Sequence, residues 1–99
     1  MKKILLSLLF LPLLVVGQFT YIPDDNFEQE LINLGYDFVL DDNIETIAID
    51  TITSLNINSL GIADLTGIAS FISLKDLFCH SNQLLFLNLS NNTQLFEVS

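Results

Sequence analysis

Three groups of residues in this 99-residue chain have types and spacings that chemistry could use. Asp76, His80 and Glu97 offer two carboxylates and an imidazole, which could share a proton or hold a metal if folding brought them together. Asp37, Asp41, Asp42 and Glu45 crowd one short stretch and offer the hard oxygen ligands that calcium takes. Their spacing is not that of an EF-hand loop, and Asn43 rather than glycine follows Asp42, so the expectation is a solvated acidic loop and no metal site. Cys79 is the single cysteine, which excludes an internal disulfide and leaves stability to packing.

The elements that must position these groups are legible in the pattern around them. Leu74, Leu77, Cys79, Asn82 and Leu84 fall on the template L-x-x-L-x-[LC]-x-x-[NC]-x-L of a leucine-rich repeat. Ile52, Leu55, Ile57 and Ile62 stand 22 positions earlier, while Leu95 and Val98 stand 21 positions after Leu74 and Leu77. Repeats are therefore expected over 52–73 and 74–94, with a truncated third from 95. On this template Cys79 is an inward core residue rather than a reactive thiol. Asn82 is a corner amide that satisfies backbone groups where a strand bends into its loop, and Leu60 replaces it in the first repeat. Leu87, Leu89 and Leu95 are the apolar residues of the second return segment, which closes on the polar turn Ser90 to Thr93.

Parallel stacking of these repeats aligns Ser54, Asp76 and Glu97 in one outward column and Asn56, Phe78 and Ser99 in the next, followed by Asn58 and His80. Phe78, an aromatic ring amid small polar residues, is the expected anchor of a recognition surface on the concave face. Asp76 and Glu97 would lie one strand spacing apart, about 4.8 Å between backbones. A flat solvated face lacks the enclosed pocket that catalysis wants, so no catalytic residue and no cofactor are expected.

Composition limits the partners. Twelve acidic residues against three basic ones give a net charge of −9, and a surface this acidic repels nucleic acid and anionic lipid. The 51% hydrophobic content is inflated by the amino terminus. There Met1-Lys2-Lys3 precedes an apolar run from Ile4 to Val16, and Val15-x-Gly17 suits a cleavage site. Residues 1–17 read as a secretory signal peptide. As a helix the run would rise only about 20 Å, short of a hydrocarbon core of about 30 Å, so the mature chain is not expected to insert in a membrane.

Residues 18–51 read as an amino-terminal cap. Asp24 can cap a helix over about 25–34, Asp25 and Glu28 favour its positive end, and Gly35 can adopt the left-handed terminator. Phe27, Leu31 and Leu34 form one apolar stripe, with Asp25, Glu28, Gln29 and Asn33 mainly on the polar face. The acidic loop follows, and alternation at Ile47 and Ile49 predicts a short cap strand. The predicted fold is an α/β solenoid of leucine-rich repeats, with short parallel strands on the concave face and this helical cap.

Y-I-P-D-D-x-F at 21–27, L-G-Y-D at 34–37, I-A-D-L-T-G-I at 62–68 and L-F-C-H-S-N-Q-L-x-x-L-N-L-S-N-N-T at 77–93 resemble secreted bacterial leucine-rich repeat proteins. The likeness is to the cell-surface type of Bacteroidetes, with some similarity to the internalins. It implies a secreted or cell-surface module that binds protein or glycan without catalysis. The family often carries such repeats within longer chains, so a targeting or spacer segment, with a catalytic or adhesive domain beyond residue 99, is the alternative. The third strand breaks off in mid-motif, which reads as a fragment whose uncapped apolar edge is open to self-association.

Overall fold

The computed structural model describes residues 17–99, and the leader expected over 1–17 lies outside them but for Gly17. No helix among the described residues is long and apolar enough to cross a membrane. The chain opens with strand β1 (Phe19–Tyr21) and helix α1 (Asp25–Asn33), followed by β2 (Asn43–Glu45), which pairs antiparallel with β1. Strands β3 (Ser54–Asn56), β4 (Asp76–Phe78) and β5 (Glu97–Val98) then form a parallel three-stranded sheet in that order. Parallel neighbours need a crossover, and here each crossover is a coiled return with at most one short 3-10 turn, such as Ile68–Ser70.

Local chemistry fixes both ends of α1. Asp24 Oδ1 accepts from the Asn26 and Phe27 N–H groups at 3.0 and 3.1 Å, satisfying donors the first turn leaves free. At the other end Gly35, with φ +89°, turns the chain so that its N–H meets the Ile32 carbonyl and the Tyr36 N–H meets that of Leu31. Phe27 and Leu31 are fully buried, and the Phe27 ring stacks on Phe71 of the first repeat at a centroid distance of 6.0 Å. Burial of side chains this size contributes about 1.5–3 kcal/mol each, which fastens the helix to the repeats.

One continuous core runs from Ile22, Phe27 and Leu31 through Ile44 and Ile49 to Leu55, Ile57, Ile62, Phe71, Leu74 and Leu77. In β3 the pattern is exposed–buried–exposed, so Leu55 points inward while Ser54 and Asn56 point out. The repeat offset also governs backbone strain. Ser59 and Ser81, 22 positions apart, both take left-handed conformations with φ of +58° and +60° where strand turns into loop.

Several expectations are corrected here. Ile47 is not in a strand: Thr46–Ala48 is a 3-10 turn, Ile47 is 73% exposed, and the strand of this region is β2. Thr46 N–H bonds the Gln18 carbonyl at 3.0 Å, continuing the pairing of β2 with β1 up to the point where the turn begins. Leu34 is the exposed C-cap residue of α1 rather than the end of its buried stripe. Glu28, expected on the polar face, is fully buried because the loop that follows the helix folds back over it. Leu87 is 39% exposed rather than inward, whereas Leu84, Leu89 and Leu95 are partly buried against the core.

Candidate binding face

The outward side of the β3–β4–β5 sheet gathers the residues singled out in the sequence. Its register pairs Ser54 with Asp76 and Asp76 with Glu97, and pairs Asn56 with Phe78. Ser99 donates to the Leu77 carbonyl at 3.0 Å and accepts from the Cys79 N–H at 2.7 Å, which sets it opposite Phe78. Asn58 and His80 come next, where Asn58 Oδ1 accepts the His80 N–H at 2.8 Å. Ser54, Asn56, His80 and Glu97 are exposed and Asn58 and Asp76 are half-buried. Phe78 is also half-buried rather than standing free.

A side chain from the second repeat stiffens the rim of this face. Asn82 Oδ1 accepts from the Leu60 and Ile62 N–H groups, both at 3.0 Å. Its Nδ2 donates to the Ile57 carbonyl at 2.7 Å and to the Cys79 carbonyl at 2.9 Å. One amide thus serves the corners of two repeats, and the absence of asparagine at Leu60 is made good by the repeat that follows. Asn92 performs a similar task on the opposite side, where sequence reasoning saw only a polar turn. It is buried, and Nδ2 donates to the Ile68 and Phe71 carbonyls at 2.9 and 3.0 Å.

Asp76 and Glu97 are adjacent like charges, and His80 Nδ1 is engaged with Ser81 Oγ at 3.1 Å, within its own turn. Cys79 is buried among apolar side chains, which pushes its thiol pKa up and keeps it protonated. The hollows of the surface lie elsewhere. A groove of about 260 Å³ runs between the two return segments, lined by Gly67, Ile68, Phe86 and Leu87. A second of about 410 Å³ sits beside the acidic loop under Phe19, Tyr36 and Phe38. Neither is lined by Asp76, His80 or Glu97.

The acidic loop itself is partly drawn inward. Carboxylate oxygens of Asp37, Asp41 and the helix residue Glu28 come within 4.8 Å of one another, while Asp42 and Glu45 stay outside the group. Both Glu28 oxygens are already engaged: Oε1 accepts the Asp42 N–H at 2.8 Å and Oε2 the Asp41 N–H at 3.3 Å.

Internalin J of Listeria monocytogenes serotype 4b (strain F2365) is 37% identical over 73 residues, which is 74% of this chain and 8% of that protein. The solved functional domain of InlJ from Listeria monocytogenes superposes with a TM-score of 0.68 at 36% identity, over 80% of this chain and 18% of that one. This is an internalin-like leucine-rich repeat fold. The internalin InlF of strain 4b F2365 superposes with a TM-score of 0.69 over 78% of this chain and 23% of that one; at 22% identity it supports the fold alone. No protein-family model matches the chain. The InlJ domain is described as including a cysteine ladder. The internalin-like chain has one cysteine, and the position 22 residues before Cys79 is held by Ile57.

Proposed function

We propose that this chain is a noncatalytic, extracellular recognition module that binds a protein, or a glycan, on the outward face of its parallel sheet. The observation that carries the reading is the register. It sets Phe78, a ring that can be desolvated at little entropic cost, inside a field of small polar side chains at Ser54, Asn56, Asn58 and Ser99. Asp76, Glu97 and the single nearby cation Lys75 give the face an acidic bias, which favours a partner presenting basic or amide groups and disfavours anions. Likeness to internalin J supports protein as the ligand class and agrees with an absence of catalysis.

In this reading α1 and the β1–β2 pair cap the first repeat, closing apolar surface that solvent would otherwise reach. The leader expected over 1–17 would deliver the module to the outside of the cell. Sequencing the amino terminus of secreted chain checks this, with Gln18 as the expected first residue.

A second reading, a targeting or spacer segment serving another domain, is favoured by the fact that the chain spans only 8% of the length of internalin J. A screen of proteins and glycans decides between the two. A recognition module yields a ligand whose affinity falls at least about 10-fold on Phe78→Ala, with the fold intact by circular dichroism. A spacer yields none, and a ligand indifferent to Phe78, Asp76 and Glu97 places binding elsewhere.

A further inference from the structure

We propose that Glu28 and Asp37 share one proton, and that this proton fastens α1 to the loop Tyr36–Asp42 as a pH-sensitive latch. The argument begins with an unmet need. Asp37 Oδ1 accepts the Phe38 N–H at 2.8 Å, but Oδ2 is buried with no donor. An orphaned buried carboxylate oxygen is costly, and the buried Glu28 carboxyl, within 4.8 Å of Asp37, can supply a hydrogen. Glu28 is itself fully enclosed, and among the described residues no basic side chain is paired with it.

The groups that face Glu28 confirm the sign of the interaction. From the loop come the carboxylates of Asp37 and Asp41 and the N–H groups of Asp41 and Asp42. On its own helix the preceding acids are Asp24 and Asp25. Among the described residues no cationic side chain acts on Glu28, whose charge is felt by Asp37 and by the N–H groups of Asp41 and Asp42. Two ionised carboxylates in this enclosure would repel one another, offset only in part by the Asp41 and Asp42 N–H groups, whereas one proton between them turns repulsion into a hydrogen bond. Glu28 Oε1 keeps its 2.8 Å bond from Asp42, and Oε2, whose bond from Asp41 is the longer at 3.3 Å, is the less firmly held oxygen and the one assigned to carry the hydrogen toward Asp37.

Burial and the Asp37 side chain together push the Glu28 pKa from 4.5 up to about 7, while the N–H bonds from Asp42 and Asp41 act in the opposite direction. A carboxyl that stays protonated in the fold but ionises freely when unfolded favours the folded chain at low pH. The contribution is complete below about 4.5 and is lost as pH rises through about 7. The latch therefore holds in mildly acidic surroundings and loosens above neutrality, when the Glu28 side chain holds the loop through the Asp41 and Asp42 N–H groups without Asp37.

The test is thermal melting of the full chain between pH 5 and pH 8. The wild-type Tm should fall across this range, and Glu28→Gln should flatten the fall, because its amide donates to Asp37 permanently while its carbonyl still accepts from Asp42. Asp37→Asn should flatten it as well, and the charge-matched control Asp25→Asn should not. Should the variants fail to fold, carboxyl carbon NMR of the wild type reads Glu28 directly, with a midpoint near 7 expected and one near 4.5 overturning the proposal. Equal slopes in all four proteins would overturn it too. So would millimolar calcium chloride raising the wild-type Tm at pH 8 above its value at pH 5, which would assign the cluster to a cation instead of a proton.

Discussion

Asp24 and Ala63, 39 positions apart, are joined by a 2.9 Å hydrogen bond from the Ala63 N–H to Asp24 Oδ2. The same oxygen accepts the Asp64 N–H at 3.1 Å, while Oδ1 caps α1 through Asn26 and Phe27. One carboxylate therefore both starts the helix and ties it to the return segment of the first repeat. Asn26 adds a second tie, its Nδ2 donating to the Gly61 carbonyl at 3.1 Å.

Removing that carboxylate takes four acceptor bonds from backbone donors. Asp24→Ala is expected to destabilise the chain by about 2–3 kcal/mol, the sum of a lost cap and lost charge-assisted bonds. Asp24→Asn retains one acceptor oxygen but turns an NH₂ group toward two N–H donors, so its cost should fall between wild type and alanine. Urea titration followed by circular dichroism measures both. A loss for Asp24→Ala no larger than that of an ordinary cap would show that the Ala63 and Asp64 bonds add nothing.

Asn82 couples neighbouring repeats in the same manner. Asn82→Ala strands the Leu60 and Ile62 donors together with the Ile57 and Cys79 carbonyls, and a cost of about 3 kcal/mol is expected. Asn82→Asp should preserve the two accepted bonds, lose the donated ones and place a charge against carbonyl oxygens. Hydrogen exchange locates the damage: Leu60 and Ile62 should lose protection in the alanine variant and keep more of it in the aspartate variant. Uniform loss across the chain would argue for global unfolding instead.

How much of this was legible follows from the range of each interaction. A fixed offset of 22 residues determines which side chains share a column, so the alignment of Ser54 with Asp76 could be read without coordinates. Asp24 and Gly35 are equally readable because caps are local. Glu28 was not, because its burial depends on a loop without periodicity folding back from the far end of α1. Asn92 was hidden by its company, since Ser90-Asn91-Asn92-Thr93 has the composition of a surface turn. Ile47 and Ile49 alternate like a strand, but the pairing with β1 ends at Thr46 and the chain tightens into a 3-10 turn.

Gly67 is a position where a single methyl group should be decisive. Its φ of +106° disfavours any L side chain, and a Cβ there would meet Ile22 Cδ1 and lie 2.7 Å from the Tyr21 carbonyl oxygen. The second contact is backbone, so it cannot give way cheaply. Gly67→Ala is expected to cost about 3 kcal/mol or more. Gly35 supplies the control, because its φ of +89° is similarly unfavourable but a Cβ there meets nothing within 4 Å. Gly35→Ala should cost only about 1–2 kcal/mol, the conformational part alone. Equal losses would mean that the close approach of β1 to the first return segment is relaxed in solution.

Cys79 makes a kinetic prediction. The thiol is buried and its pKa is raised by the loss of water around it, so the reactive thiolate is scarce as well as inaccessible. Alkylation at pH 8 should therefore proceed through opening of the chain, with a rate at least about 100-fold below that of the urea-unfolded protein. The rate should rise in Asn82→Ala, since Asn82 Nδ2 bonds the Cys79 carbonyl and holds the strand end closed. Cys79→Ala, by contrast, trims a core side chain and should cost about 1–2 kcal/mol without altering the outward face. A wild-type thiol that reacts as fast as the unfolded one would place Cys79 at the surface and break the inward pattern on which the repeat depends.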